Sequence, residues 1–141
     1  MSVNKFNPEH YYDPTPYEAI KKVEKEERKA AFRPIIYVCS PFSGDVQGNI
    51  KKAKDYCRFV INNGGIPLAP HLLFPQFLSD DVPEERELAI FMDIALLSKC
   101  AELWVFGDTV SNGMSIEINK AKKKRQKIRY FNSNCEEVFK L

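Results

Sequence analysis

Residues 34–44 read Pro-Ile-Ile-Tyr-Val-Cys-Ser-Pro-Phe-Ser-Gly. The first six form a continuous apolar run, the pattern of a strand buried on both faces. The last five, Ser40 to Gly44, are a loop by composition. A second run of the same kind, Leu103-Trp104-Val105-Phe106, is followed by a loop from Gly107 to Gly113. Between them a helix is expected over 50–62, with Ile50, Ala53, Tyr56, Cys57, Val60 and Ile61 on one stripe. Asn49 is its expected cap and Gly64-Gly65 its stop. Ile66-Pro67-Leu68-Ala69-Pro70 reads as a short strand whose two prolines suit a sheet edge. His71 to Asp81 reads as an irregular apolar flap. Pro83 with Glu84 and Glu85 opens a helix running to about Lys99. Residues 114–124 are helical, Ile128 to Phe131 is a fourth strand, and 135–141 reads as a short last helix.

Strands alternating with helices imply a parallel sheet with right-handed crossovers. The expectation is therefore a flavodoxin-like three-layer α/β fold, with a parallel sheet of four to five strands in the order 2-1-3-4. The switch point then lies between the first and third strands, and ligands bind there at the strands' carboxyl ends. The loops Ser40–Gly44 and Gly107–Gly113 border that cleft.

Working outward, residues 1–14 carry no periodic pattern and read as an arm. Thr15 is a plausible N-cap, Pro16 suits a first helical position and Glu18 can close a capping box. The charged helix so opened ends before Pro34. The expected division is residues 1–32 as N-terminal arm and surface helix, and 33–141 as the α/β domain.

The chain has 141 residues, 44% of them apolar, which suffices for one packed core. Its formal net charge of +2 gives no electrostatic reason to expect nucleic-acid or anionic-membrane partners. No apolar run approaches the roughly 20 residues of a membrane helix, and the opening residues have no apolar signal-peptide core. Cys39, Cys57, Cys100 and Cys135 form no CxxC pair and read as reduced thiols of a cytoplasmic protein. With His10 and His71 the only histidines, a histidine-rich metal centre is not expected.

Asp93 is the most informative single residue. Its helical neighbours at three and four residues, Ala89, Ile90, Leu96 and Leu97, are all apolar. A carboxyl on such a face has its pKa raised by burial and suits a general acid, or else it hydrogen-bonds a loop backbone. Glu117 follows the third strand within the first turns of a helix, close to the expected cleft. There it is either a functional carboxylate or an acid placed by the helix dipole. Ser111-Asn112-Gly113 precedes the same helix and supplies a cap, free amides and an anion site. Tyr37 is either core or presents its hydroxyl to the cleft. His71 either contacts a ligand or braces a loop. No Walker or GxGxxG pattern is present.

Together these residues resemble the nucleoside 2-deoxyribosyltransferase-like superfamily over about residues 34–131. Tyr37 falls where that superfamily has a tyrosine on its first strand. Ser40-Pro41-Phe42 resembles its following loop, and Asp93 stands where an acidic residue handles the base. Ser111-x-Gly113-x-x-x-Glu117-x-x-x-Ala121 resembles the segment whose glutamate is the nucleophile. The resemblance implies Glu117 as nucleophile with Asp93 and Tyr37 as catalytic partners. It further implies Ser40, Pro41, Phe42, Gly44, His71, Ser111, Gly113 and Met114 as substrate contacts, and a nucleoside or nucleotide as substrate. The implied reaction requires no metal or cofactor, and a homo-oligomer is also implied. The transferases carry aspartate where this chain has Ser111; the related 5′-monophosphate N-glycosidases carry serine there and use it to contact phosphate. Ala69-Pro70-His71 and Trp104-Val105-Phe106-Gly107 add a likeness to uncharacterised bacterial and mobile-element members. A catalytically silent nucleotide sensor is the alternative reading.

Overall fold

The computed structural model describes residues 14–30 and 32–139. The chain divides into two units between Phe32 and Arg33. In the first, a helix (α1) spans Pro14–Ala30. It starts at Pro14, so Thr15 lies inside the first turn rather than capping it. The expected arm lies, but for Pro14, outside the described residues.

The second unit carries five strands: β1 (Ile35–Cys39), β2 (Ile66–Leu68), β3 (Glu102–Phe106), β4 (Lys127–Phe131) and β5 (Glu137–Val138). Their order in the sheet is β2-β1-β3-β4-β5. The first four run parallel and β5 is antiparallel to β4. The helices are α2 (Val46–Asn62), α3 (Pro83–Leu97) and α4 (Asn112–Lys123). This is an α/β architecture with the strand order the sequence implied, extended by one edge strand.

Alternation of side chains along β1 and β3 builds two cores, one on each sheet face. Ile36, Val38, Trp104 and Phe106 meet Tyr56 and Val60 of α2. Tyr37, Cys39, Leu103 and Val105 meet Leu97 of α3 and Met114, Ile118 and Ala121 of α4. Both central strands are therefore apolar at nearly every position, which is why they read as continuous runs. On the α2 side the packing is aromatic. Tyr56 and Phe106 stack at 4.4 Å, and Phe106 and Phe131 stack at 5.0 Å between centroids. Such pairs contribute about 0.5–1.5 kcal/mol each beyond their buried area. Trp104 belongs to this core, with the Arg129 guanidinium 4.7 Å from its ring centre.

Three local expectations change. Asp45, not Asn49, caps α2: its Oδ1 accepts from Gly48 N at 3.1 Å. Asn49 instead sits in the first turn and donates from Nδ2 to the carbonyls of Phe42 and Ser43, both at 3.0 Å. Two short polar side chains compete for one helix start, and the earlier one takes it. The segment after β2 is more ordered than an irregular flap, with 3₁₀ turns at Pro70–Leu72 and Phe74–Gln76. The expected last helix is instead strand β5. A turn with Cys135 at φ 62° reverses the chain, and Arg129 of β4 grips Glu137 through two hydrogen bonds at 2.7 and 2.9 Å. Residues 140–141, the end of that expected helix, lie outside the described residues.

Gly65 sits where α2 turns into β2. A Cβ there would lie 2.8 Å from both Ile36 Cγ1 and Val60 Cγ1. Gly65→Ala is expected to destabilise the domain by about 1–3 kcal/mol through overpacking, measured as a lower urea midpoint at unchanged slope.

Candidate active site

The carboxyl ends of β1 and β3 open into a cavity of about 480 Å³. That size falls within the range of small-molecule sites. Each wall comes from a different element. Ser40 and Phe42 follow β1, and His71 stands on the 3₁₀ turn after β2. Asp93 projects from α3, and Ser111, Gly113, Met114 and Glu117 come from the start of α4. The remaining residues expected at the site, Tyr37, Pro41 and Gly44, do not line this cavity. Tyr37 is fully buried in the core on the α3–α4 side. Pro41 lies against Gly107. Gly44 has φ +94° and turns the chain into α2, its carbonyl accepting from Val46 N at 3.0 Å.

The start of α4 is fixed by Ser111, whose Oγ accepts from Met114 N at 3.3 Å. Met114 and Ile118 then anchor the helix in the core. The same face carries Glu117, only 3% exposed. Asp93 is 8% exposed on the neighbouring α3. Two carboxyls thus lie buried at one cavity.

Among the described residues, five buried side-chain polar atoms have no hydrogen-bond partner within the protein. Four are Tyr37 Oη, Ser40 Oγ, Asp93 Oδ1 and Glu117 Oε2. Buried polar atoms are normally paired, so four unpaired ones gathered at and beneath one cavity single out this end of the sheet. No group of three or more His, Cys, Asp or Glu side chains among the described residues is placed to hold a metal ion.

Burial governs the electrostatics. It pushes the Asp93 carboxyl up to about 7. It pushes Glu117 up to about 8, the Asp93 charge adding to the effect while contacts with the Cys39 thiol and the Tyr37 hydroxyl oppose it. The two acids titrate as a coupled pair that gives up its protons around neutrality. The sequence pattern pointed to such a rise at Asp93; the structure extends it to Glu117. Burial also raises Tyr37 and Cys39, helped by the Glu117 charge, so both remain protonated donors. His71 is pushed down by burial, with Asp80 opposing. Its Nε2 lies 3.7 Å from Glu117 Oε1. With the histidine pK lowered and the glutamate pK raised, this contact at neutral pH is not a full ion pair.

Arg86, Asp80 and Glu85 also line the cavity; the sequence marks Glu85 only as part of a helix start, and none of the three was expected at the site. Arg86 had a legible signal: it stands two helical turns before Asp93, on the same face of α3. Asp80 comes from the loop before α3, and only the tertiary fold brings that loop to the cleft.

The raised Glu117 pKa has a consequence for stability. The folded protein keeps a proton that the unfolded chain loses above the ordinary value of 4.5. Stability from that proton is present below 4.5 and is lost as pH rises to about 8. Glutamine at this position has no charge to bury. The stability of Glu117→Gln relative to the parent is expected to increase by ~3–5 kcal/mol between those two pH values, as measured by urea denaturation at each.

No curated protein matches the sequence. A family model described as a domain of unknown function, DUF7768, matches residues 34–131. That span runs from the residue before β1 to the end of β4, and it contains every residue named on the cavity wall. The chain therefore belongs to the DUF7768 family, and the buried carboxyl pair lies inside the part of the chain that defines it.

Proposed function

We propose that the protein cleaves the N-glycosidic bond of a (deoxy)nucleoside or its 5′-monophosphate, on a flavodoxin-like fold of the nucleoside 2-deoxyribosyltransferase-like kind. One observation carries this reading. Asp93 and Glu117, on neighbouring helices, bring two buried carboxyls to a single cavity, with Asp93 Oδ1 and Glu117 Oε2 unpartnered. Breaking a bond between a sugar and a base passes through an oxocarbenium-like state. A carboxylate beside the anomeric carbon stabilises that state, and an acid protonates the departing base. Glu117 attacks the anomeric carbon, the carbon–nitrogen bond breaks, and Asp93 gives its proton to the base nitrogen. Water then releases the sugar from the Glu117 ester, or a second base accepts it.

This chemistry needs one proton on the pair, with Glu117 ionised. Burial together with the Asp93 charge raises Glu117 more than burial raises Asp93, which favours the opposite distribution. The substrate reverses it. A base nitrogen accepting from Asp93 stabilises its protonated form, and positive charge developing on the sugar stabilises ionised Glu117.

A panel of nucleosides and 5′-monophosphates, assayed for free base, tests the reading. The parent is expected to release base from at least one member. Glu117→Gln is expected to lower that rate by several orders of magnitude with the fold intact. Near-normal turnover in the variant, or saturable binding without base release in the parent, overturns the catalytic reading; the second result would indicate a nucleotide sensor.

The start of α4 supports a 5′-phosphate on the substrate. The Ser111 oxygen accepts from Met114 N, so its hydrogen is left to donate. A Cβ on Gly113 would meet nothing within 4 Å, so a ligand can approach the backbone. Asp108, whose charge would oppose phosphate, accepts from Ser133 Oγ at 3.3 Å and is not on the cavity wall. Arg86 adds a cation to that wall, and Asp80 and Glu85 are the opposing charges. Ser111→Asp preserves a good helix cap. It is expected to weaken the monophosphate reaction by ~10-fold or more, the effect of about 1.4 kcal/mol of repulsion, while sparing the nucleoside reaction. A parent that prefers the nucleoside would leave Ser111 as a cap alone.

A further inference from the structure

Two aromatic rings beside the carboxyl pair have no part in the mechanism above. Phe42 and His71 stack with centroids 5.7 Å apart and planes 19° from parallel. The pair forms a partition. On one side is the cavity with Glu117, and on the other an outer hollow lined by Gln47, Lys54 and Gln76. The imidazole is delivered by a firmly held turn. Pro70 is buried beneath it, and Leu72 N and Leu73 N donate to the carbonyls of Ala69 and Pro70, both at 2.9 Å.

We infer that His71 is a positioning residue for Glu117: its Nε2–H holds carboxylate Oε1 and so sets how the carboxylate is turned toward the substrate, while the Phe42 ring fixes the imidazole plane. The inference rests on the proposed role of Glu117 as nucleophile. Nε2 and Oε1 are 3.7 Å apart, less than one ångström beyond a hydrogen bond, and such contacts at catalytic groups commonly tighten as the reacting state forms. Oε2 is buried without a hydrogen-bond partner in the protein, so a grip on Oε1 turns and holds the carboxylate from the side of the cavity.

The surroundings favour a neutral ring that donates. Burial lowers the basicity of His71, and Asp80 offsets this only in part. The other titratable or charged groups at the cavity are Asp93, Glu85 and Arg86 of α3, with Tyr37 and Cys39 of β1 coupled to Glu117 from beneath. None of these replaces an imidazole on the outer side of the carboxyl.

The test separates the donor from the ring. His71→Phe keeps a ring to stack on Phe42 and removes the N–H; His71→Gln keeps a neutral N–H and removes the ring. The Glu117 carboxyl is followed by ¹³C NMR of protein labelled at the glutamate side-chain carboxyl, across pH 5 to 10 (roughly the range over which a raised carboxyl titrates). His71→Phe is expected to raise the Glu117 midpoint by about one pH unit, and His71→Gln to return it towards the parent value. The acidic limb of the base-release profile moves with it. A midpoint that moves in neither variant, or rises equally in both, overturns the inference. The titration needs no turnover. It therefore decides the role of His71 even if the parent releases no base, an outcome that would instead count against the proposed reaction.

Discussion

Strands β1 and β3 have no free face. Ile36, Val38, Trp104 and Phe106 point to one core, and Tyr37, Cys39, Leu103 and Val105 to the other. A sheet centred on such strands must be covered on both sides, so α2 packs on one face and α3 and α4 on the other. That requirement fixes the cleft. The crossover through α2 carries the chain from β1 to β2 at one edge, and β3 joins β1 from the other side. Only between β1 and β3 do the connections part in opposite directions, leaving the strand ends open to a ligand.

The same layering brings the acids together. Glu117 and Asp93 lie on the two helices that cover one sheet face, and both point toward the gap at the end of β1. Their burial opposes folding once they ionise, since a desolvated carboxylate is costly. The nearby Tyr37 hydroxyl and Cys39 thiol lower that cost in part, although Tyr37 Oη has no hydrogen-bond partner and Cys39 Sγ donates to the Met114 carbonyl. It leaves Asp93 Oδ1 and Glu117 Oε2 unsatisfied. A fold optimised for stability alone would pair those oxygens or replace them with apolar groups. Their persistence beside a cavity is the structural argument for chemistry at this place.

The misreadings have specific physical origins. Asn49 and Asp45 are both competent helix caps, and the choice between them depends on where the loop after β1 directs its carbonyls; Asn49 is occupied by Phe42 and Ser43. Strand β5 has two residues, too few to show a period, and its pairing depends on Arg129 reaching Glu137 from the adjacent strand. The 3₁₀ turns after β2 are too short to carry a helical stripe. Tyr37, for which the sequence left core and cleft both open, takes the core alternative, because side-chain alternation along β1 sends it there, where it still acts on Glu117.

By itself the sequence determined the order and type of the main elements, the edge position of β2, and the end of the sheet at which the cleft opens. It did so because two-sided burial leaves continuous apolar runs, helices leave stripes, and prolines restrict a strand to an edge. It also marked Asp93, since a carboxyl among apolar helical neighbours is a local anomaly visible in one window. Only the tertiary structure decided which groups meet. The approach of His71 to Glu117, the presence of Arg86 and Asp80 on the same wall, and the turning of Asp108 toward Ser133 are contacts between distant segments. No local period encodes them, because each depends on how the layers seat against one another.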